Sequence, residues 1–281
     1  MKTINTIKEI REIVKEWKSK GFSVGFVPTM GYLHEGHKSL IEKASLENDK
    51  VIVSIFVNPT QFGPNEDFEK YPRDLEKDEA LCSSAGADLI FAPEVIEMYP
   101  EGANTLVDVE GLTEGLCGEK RPGHFRGVCI VVSKLFNIVA PHRAYFGEKD
   151  AQQLAVIKRM VKDLNFDIDV KGCPIIREED GLAKSSRNTY LSAEERVAAT
   201  VLSRSLRKGK EALSQGERDS DNLKDIILQE LHSEPLAKID YVEIVDSSTL
   251  KSIKSINKPI LTAIAVFIGK TRLIDNFTFE P

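Results

Sequence analysis

Two histidines three residues apart stand directly after the first apolar segment of the chain. The segment from Phe22 to Val27 is short and apolar, and it leads into Met30-Gly31-Tyr32-Leu33-His34-Glu35-Gly36-His37. A region of helical spacing follows, and a helix N-terminus offers an anion backbone N–H groups and the positive end of a dipole. Gly31 and Gly36 would let a ligand approach the backbone closely. We expect both histidines on one side of the first helical turn, where they suit phosphate binding.

Three interpretations of this histidine pair stay open. Two nearby histidines could bind a metal ion, although their spacing differs from the i, i+4 pair of HExxH metalloproteases. They could also make only structural hydrogen bonds within the turn. Phosphate binding is favoured by the position after a first strand, because ligands of open parallel sheets bind at the carboxyl ends of strands.

A second polar segment follows the apolar run from Val51 to Val57. Asn58-Pro59-Thr60-Gln61 places two neutral amides where another strand is expected to end. Such amides can hydrogen-bond a polar substrate without adding charge. Asn-Pro is also common in ordinary turns, and alone the segment would predict only a turn.

Two further segments combine cations with polar groups. Gly147-Glu148-Lys149-Asp150 lies between a short expected strand and a helix, so Lys149 could contact phosphates as a point charge, and Gln153 could face the same crevice. Lys184-Ser185-Ser186-Arg187 joins two hydroxyl groups to two cations, which suits a polyphosphate clamp. Taken alone, the Lys149 segment is more typical of a charged surface turn, and segment 184–187 could be a solvated loop. The hypothesis depends on all four segments occurring together, three of them at expected strand ends of one sheet.

The elements that would position these segments alternate between strand and helix in the first part of the chain. Apolar residues at helical spacing predict helices near 7–20, 75–85, 128–139 and 151–164, and strands are expected near 22–27, 51–57, 88–92, 144–146 and 168–175. This alternation indicates an α/β domain with a Rossmann-like, doubly wound parallel sheet. We predict that it comprises residues 1–177.

The pattern changes after about residue 177. Ser192 to Glu195 has the spacing of a helix capping box, and two polar helices are expected near 193–214 and 219–232. Strands near 239–245, 260–268 and 272–277 follow without helices between them. We therefore predict a second, smaller α+β domain with an antiparallel sheet, comprising residues 178–281.

Composition excludes several classes of protein. The chain has 281 residues and a net charge of −6, with its cations scattered, so it lacks the basic stripe of a nucleic-acid binder. Its four cysteines have no metal or redox spacing, which indicates reduced thiols. The N-terminal segment is typical of a folded helix rather than a signal peptide, and no apolar run approaches the ~20 residues of a membrane span. We expect a cytoplasmic protein that binds neither nucleic acid nor membranes.

Five motifs occur together in the chain: PTMGYLHEGH, FVNPTQF, PGHFRGV, FGEKDAQQ and DGLAKSSRN. In this order and over essentially the whole chain, the sequence resembles the pantothenate synthetases. H-x-G-H alone marks only a wider superfamily of nucleotidyltransferases and class I tRNA synthetases, whereas NPTQF with GEKDxQQ and SSRN is more specific. The resemblance implies a Rossmann-like ATP domain followed by a small lid domain, usually in a homodimer.

The resemblance also implies a two-step, ATP-dependent reaction. The carboxylate of (R)-pantoate attacks the α-phosphate of ATP, which gives pantoyl adenylate and pyrophosphate. β-Alanine then attacks the mixed anhydride, which gives pantothenate and AMP. Magnesium is implied as a cofactor, and Asp78 is the carboxylate implied to help hold it.

Site residues follow from the resemblance by position. The implied ATP-binding residues are Met30, Gly31, Tyr32, Leu33, His34, Glu35, Gly36, His37, Gly147, Glu148, Lys149, Asp150, Ile176, Lys184, Ser185, Ser186 and Arg187. The implied catalytic residues are His34, His37, Lys149 and Arg187, with His37 as a proton donor. Gln61 and Gln153, together with Asn58, are expected to hold pantoate and β-alanine. Lys184 departs from the family pattern, in which this position is often apolar.

Two other functions compete with this one. Another H-x-G-H nucleotidyltransferase, such as a pantetheine-phosphate adenylyltransferase, would usually be shorter and would lack NPTQF with GEKDxQQ. A catalytically silent ATP sensor is the second alternative. The presence of the five polar residues expected at the phosphates argues against it: His34, His37, Lys149, Ser186 and Arg187.

Overall fold

The chain divides into two compact units in a computed structural model, which describes residues 1–64 and 66–281. Unit 1 comprises Met1–Glu110, Arg121–Glu148 and Gln153–Pro174. Unit 2 comprises Gly111–Lys120, Lys149–Gln152 and Ile175–Pro281. The predicted domains, residues 1–177 and 178–281, stay a prediction.

Among the described residues, unit 1 contains a six-stranded sheet in which every pair of neighbours is parallel. Its strands are β1 (Lys2–Ile4), β2 (Val24–Thr29), β3 (Lys50–Ile55), β4 (Leu89–Phe91), β5 (Arg143–Gly147) and β6 (Asp169–Cys173). The spatial order is β1-β4-β3-β2-β5-β6. After β2 the chain adds β3 and β4 on one side, and it then adds β5 and β6 on the other. The order therefore reverses between β2 and β5, which is where open α/β sheets bind ligands.

Helices cover the sheet of unit 1. They are α1 (Ile7–Ser19), α2 (Glu35–Glu47), α3 (Leu75–Ser84), the short α4 (Val95–Met98), α6 (His124–Val139) and α7 (Ala151–Asp163). Helices α1 and α6 pack against each other and against β2, whereas α2 packs against β2, β3 and β5. Burial on both faces explains why β2 and β3 are nearly continuous apolar runs. The predicted Rossmann-like, doubly wound sheet is confirmed.

In the part of the chain that the structure describes, unit 2 has a three-stranded antiparallel sheet in the order β7-β8-β9. Its elements are α5 (Cys117–Lys120), α8 (Ala193–Ala198), α9 (Val201–Ser214), α10 (Ser220–Leu231), β7 (Ala237–Asp246), β8 (Ile260–Ile268) and β9 (Thr271–Phe279). The apolar faces of α9 and α10 pack with the sheet in one core, which includes Leu206, Ile227 and Ile264. The predicted smaller α+β fold is also confirmed.

One predicted helix of unit 2 is divided in two. The expected capping box is present, with Ser192 and Glu195 each accepting the other's backbone N–H. The helix then ends at Ala198 and a new one begins at Val201, so the prediction of a single helix over 193–214 is wrong. The hydroxyl of Thr200 donates to the carbonyl of Val197 at 2.7 Å, which occupies an acceptor near the break.

Within residues 1–64 and 66–281, no helix combines the length and apolar character that crossing a membrane requires. The four cysteines, at positions 82, 117, 129 and 173, are buried free thiols. Burial raises the pKa of Cys82 and of Cys129 to about 12, and neighbouring carboxylates act in the same direction.

Candidate active site

The segment Met30–His37, called the histidine turn below, follows β2 and leads into α2. The side chains of its two histidines accept backbone N–H groups of the same segment. His34 is the N-cap of α2, and its Nδ1 accepts the backbone N–H of Gly36 at 3.1 Å. His37 lies three residues on, and its Nδ1 accepts the backbone N–H of His34 at 3.3 Å. The two ring centroids are 4.1 Å apart. His34 is thus the cap rather than a helical residue, but the two rings lie side by side.

These hydrogen bonds fix the chemistry that each ring presents. A ring nitrogen that accepts an N–H carries no proton, so the neutral imidazole holds its proton on Nε2. Both His34 and His37 then present Nε2–H as a donor. Two donors at the N-terminus of a helix suit the acceptor oxygens of a phosphate.

A buried carboxylate holds the backbone of the same turn. Asp78, on α3, is 1% exposed, and its two oxygens accept the backbone N–H groups of Tyr32 at 2.8 Å and Leu33 at 2.6 Å. Gly31 has φ +81°, and a Cβ there would lie 2.9 Å from Ile55 Cγ2 and 3.0 Å from Asp78 Oδ2. Burial raises the pKa of the Asp78 carboxyl, although the two N–H donors act against this shift.

The surroundings of Asp78 do not fit a magnesium site. Magnesium demands near-ideal octahedral geometry and usually keeps several water ligands. A carboxylate that is 1% exposed and has both oxygens bonded to backbone N–H groups cannot offer such surroundings. Across the described residues, no group of three or more His, Cys, Asp or Glu side chains is arranged to hold a metal ion. Asp78 instead anchors the histidine turn.

The two amides after β3 form a connected pair. Asn58 is 1% exposed, and its Nδ2 donates to Gln61 Oε1 at 3.0 Å and to the Gly127 carbonyl at 3.2 Å. Gln61 Nε2 lies 3.0 Å from Met30 Sδ, so the pair reaches the histidine turn. Gln61 therefore turns its N–H donors towards Met30. Asn58 bonds with protein groups on both sides of its amide, and this geometry favours a role in orienting Gln61.

The backbone of Gln61 is held by residues to which the sequence had assigned no role. His124 Nδ1 lies 2.8 Å from the Gln61 carbonyl oxygen, and His124 Nε2 lies 2.9 Å from Arg121 Nη1. Arg121 also makes a bidentate ion pair with Glu66, at 2.6 Å for both bonds. Despite its burial, Glu66 has a lowered pKa because of this guanidinium. The motif PGHFRGV contains His124 and directly follows Arg121, so it was the sequence feature that could have indicated a role for these two residues.

In unit 2, neighbouring residues of strand β9 contact the turn that contains Lys149 and Arg177, which precedes segment 184–187 in the chain. Lys149 lies in the turn Glu148–Asp150, with its Nζ 3.9 Å from Asp150 Oδ2, and its carbonyl accepts the Asn276 side chain at 2.8 Å. The neighbouring Asp275 is 2% exposed and pairs with Arg177 at 2.7 and 2.9 Å. Strand β9 therefore carries both contacts.

The predicted clamp follows Arg177 and is ordered by local hydrogen bonds. The backbone N–H of Lys184 donates to the Ile176 carbonyl at 2.9 Å, and its Nζ pairs with Glu178 at 2.8 Å. Ser185 caps a short 3-10 helix by accepting the N–H of Arg187 at 3.3 Å. Ser186 is buried and begins that helix. The Lys184 side chain is thus partly neutralised within its own loop.

The remaining predicted residues lie around the end of β5. Gly147 is the last residue of β5, which neighbours β2 in the sheet, and Glu148 follows it. Gln153 is half-buried on α7, in unit 1. Its neighbour Gln152 is buried and instead holds a loop of unit 2, by donating to the carbonyls of Leu112 and Gly115.

An open parallel sheet with a histidine-capped helix at its reversal point is the arrangement of an α/β nucleotide-binding protein. Comparisons with known proteins narrow this class. The family model described as pantoate-beta-alanine ligase matches residues 2–278. The chain is 68% identical over 280 residues to a pantothenate synthetase of Enterococcus faecalis, covering 100% of this chain and 99% of that protein. A pantothenate synthetase of Clostridium botulinum is 64% identical, with full coverage of both chains.

Solved structures agree with these sequence matches. The pantothenate synthetase of Thermus thermophilus superimposes with a TM-score of 0.95 at 49% identity, covering both chains fully. The pantoate-beta-alanine ligase of Francisella tularensis, complexed with beta-gamma ATP and beta-alanine, gives a TM-score of 0.81 at 38% identity, covering 99% and 97% of the chains. The chain therefore belongs to the pantoate–β-alanine ligase family.

Proposed function

We propose that this protein condenses (R)-pantoate with β-alanine at the expense of ATP, through a pantoyl adenylate, releasing pyrophosphate and AMP. The observation that carries the proposal is the family match over residues 2–278, together with the donors of the histidine turn at the sheet's reversal point. A relative in the same family has been solved with an ATP compound and β-alanine.

Charge is the main obstacle to the first step. The pantoate carboxylate is an anion that attacks a polyanion, and negative charge builds on the five-coordinate α-phosphate. Donors that are already oriented stabilise such charge best, because they need not reorganise during the reaction. We assign this role to the Nε2–H groups of His34 and His37, to Lys149 and to Arg187, with Ser185 and Ser186 as further phosphate donors.

Binding of pantoate requires hydrogen-bond donors beside the phosphates. The amide of Gln61 is oriented so that Oε1 faces Asn58 and Nε2 lies on the Met30 side, and such a donor suits a hydroxyl or carboxylate oxygen of a small hydroxy acid. We assign pantoate to Gln61 and Gln153. Holding the carboxylate against the nucleotide also supplies proximity, since a bimolecular step then proceeds within one complex.

The remaining expectations form part of the same proposal. Magnesium would enter as the Mg·ATP substrate, carried by the nucleotide's own phosphate oxygens, which are the hard ligands that it prefers. Ile176 would meet the adenine through its backbone. The protein would act as a homodimer in the cytoplasm, and sedimentation velocity at micromolar concentration would test the dimer.

A coupled assay tests the reaction itself. ATP, pantoate and β-alanine are each omitted in turn, while pyrophosphate and AMP are followed separately. Pyrophosphate release should require ATP and pantoate but not β-alanine, whereas AMP release should require all three. Pyrophosphate release without pantoate would indicate another nucleotidyltransferase, and binding of ATP without turnover would indicate a silent sensor.

Substitution of His37 should affect the two half-reactions differently. His37→Asn keeps an acceptor near the position of Nδ1, which preserves the cap, but it has no atom at Nε2. We expect adenylate formation to fall about 10²-fold, because one oriented donor is lost, while conversion of supplied pantoyl adenylate with β-alanine falls much less. Single-turnover pyrophosphate release measures the first step.

Two further variants control this measurement. His37→Ala removes the cap acceptor as well, and should lower thermal stability beyond His37→Asn. His232→Ala changes an exposed histidine of unit 2 and should leave both half-reactions unchanged. Equal defects in the two half-reactions of His37→Asn would contradict the assigned role.

A further inference from the structure

Tyr99 reaches the amide pair from the end of a helix that the sequence did not predict. It is the C-cap residue of α4, and its hydroxyl donates to Asn58 Oδ1 at 2.7 Å. The same oxygen accepts the hydroxyl of Thr60 at 3.0 Å, and the two hydroxyls lie 3.2 Å apart. One amide oxygen thus receives two hydroxyl donors within a compact cluster.

The cluster permits one orientation of the Asn58 amide. The carbonyl of Gly127 can only accept, and it lies 3.2 Å from Asn58 Nδ2. If the amide were flipped, its oxygen would face that carbonyl and its nitrogen would face the backbone N–H of Thr60, which now donates to Asn58 Oδ1 at 3.4 Å. The Gly127 carbonyl and the Thr60 N–H therefore select the orientation, and the Tyr99 hydroxyl adds a donated hydrogen bond that holds the amide in it.

This orientation is transmitted to Gln61. Asn58 Nδ2 can donate only to an acceptor, so the Gln61 oxygen must face Asn58, at 3.0 Å. Gln61 Nε2 consequently lies on the other side, 3.0 Å from Met30 Sδ. A chain of three hydrogen-bonding groups thus links Tyr99 to the N–H donors of Gln61.

We propose that Tyr99 is a positioning residue for the hydroxy-acid substrate, acting through Asn58 to keep Gln61 Nε2 turned towards the substrate's oxygen atoms. This inference rests on the proposed function, in which Gln61 holds pantoate. Tyr99 contacts no substrate in this scheme. Its effect is to hold the Asn58 amide in place, so that Gln61 keeps its oxygen towards Asn58 and its N–H donors towards the substrate.

The surroundings of Tyr99 keep it a hydroxyl donor. Burial raises the pKa of its phenol, although the Thr60 contact acts the other way. The Tyr99 ring centroid lies 6.2 Å from that of Phe56 and 5.8 Å from Lys134 Nζ. Because these contacts involve the ring, phenylalanine at this position would keep them and lose only the hydroxyl.

Tyr99→Phe tests the proposal. Loss of one neutral hydrogen bond that anchors the Asn58 amide should raise the KM for pantoate about 3- to 10-fold, with the KM for ATP unchanged. Tyr145→Phe is the matched control, since its buried hydroxyl bonds instead to Asn48 and Glu47 at the end of α2. The control should lower thermal stability comparably and leave the KM for pantoate unchanged.

A double-mutant cycle with Gln61→Ala shows whether Tyr99 acts through Gln61. Gln61→Ala should raise the KM for pantoate, and adding Tyr99→Phe to it should cause no further rise. If Tyr99→Phe leaves the KM for pantoate within about twofold while Gln61→Ala raises it, the positioning role is refuted and the proposed function stands.

Two other results would also overturn the inference. An equal rise in the KM for ATP and for pantoate would show that Tyr99→Phe only loosens the structure. An unchanged KM for pantoate in Gln61→Ala would remove Gln61 from the pantoate site. In that case the substrate assignment fails together with the inference, whereas the omission assay still reports on the overall reaction.

Discussion

Asp78 illustrates, at the scale of single residues, how a buried charge can shape a site without entering it. Its two oxygens accept consecutive backbone N–H groups, from Tyr32 and Leu33, and so hold the chain in the path that leads to His34. Sequence could suggest an acidic residue near the site, but it could not distinguish a metal ligand from a backbone anchor. That distinction depends on burial and on contacts across 45 and 46 residues of chain.

Asp78→Asn should destabilise the protein by about 1–3 kcal/mol, because an amide has only one acceptor atom for the two backbone donors. Urea unfolding measures this loss. Asp74→Asn on the same helix is the control and should be nearly neutral, since Asn and Asp are equally good N-caps.

In Asp78→Asn, the magnesium concentration that half-saturates activity should stay the same as in the parent protein. A shift of about tenfold in that concentration with normal stability would restore Asp78 as a metal ligand.

Lys149 is the residue on which the phosphate chemistry of the proposal depends most. Lys149→Ala should reduce adenylate formation on the order of 10²-fold with little effect on thermal stability, because its ion pair with Asp150 is long, at 3.9 Å. Single-turnover pyrophosphate release would measure the defect. Lys171→Ala breaks a shorter surface pair with Asp169 and should leave that rate unchanged. A near-normal rate in Lys149→Ala would exclude the lysine from the reaction.

At the scale of elements, helix α6 and the turn after β3 pack so closely that a side chain between them is excluded. A Cβ on Gly127 would lie 2.3 Å from the Thr60 carbonyl oxygen and 2.7 Å from Gln61 Cα. These are backbone atoms, so they cannot move aside as a flexible side chain would. The position of Gln61 therefore depends on how near α6 can approach.

Gly127→Ala should consequently lower activity through Gln61, with a raised KM for pantoate and a lower unfolding midpoint. Gly209→Ala in α9 is the control, because the atoms nearest to its Cβ would be side-chain carbons, of Ile227 at 3.0–3.1 Å and of Leu223 at 3.6 Å. Helix propensity there favours alanine by about 1 kcal/mol, which offsets the crowding. Steady-state kinetics and thermal unfolding would be compared for both. Normal pantoate kinetics in Gly127→Ala would mean that the turn can shift without consequence.

The elements differ in how well sequence could predict them, for physical reasons. Long periodic segments such as α1 and α6, and apolar runs such as β3, carry their signal locally and were predicted. Strand β1 has three residues and exists through its pairing with β4, so a local pattern could not reveal it. The site residues also differ in whether a local sequence pattern could reveal them. Gln61 stands beside a strand end, whereas the contact from Tyr99 to Asn58 spans 41 residues.

At the scale of the whole molecule, several carboxylates link folding to pH. Interactions in the folded protein lower the pKa of six of them among the described residues: Glu16, Asp49, Glu66, Asp180, Glu230 and Asp246. A carboxylate whose pKa is lower in the folded state adds stability above its unfolded pKa and loses it as the pH falls through its folded pKa. Asp78, with a raised pKa, acts in the opposite sense. Stability should therefore decline on the acid side.

Asp246 gives the sharpest test of this decline. Hydrogen bonds from the Ser248 hydroxyl and from Thr249 lower its pKa from 3.8 to about 2. Asp246→Asn should be less stable than the parent protein at neutral pH, and the difference should shrink as the pH falls from about 4 to about 2. Urea midpoints at several pH values would measure it. A constant difference over that range would show that the carboxylate charge is not responsible.

The contact between Asn276 and the Lys149 carbonyl joins residues that are 127 positions apart. During synthesis Lys149 leaves the ribosome long before the strand that holds its turn has been translated. A nascent chain can therefore carry its histidine turn in place while its lysine turn still lacks this support. With Lys149 in its proposed role, such a chain should form little adenylate until strand β9 has been translated and has folded.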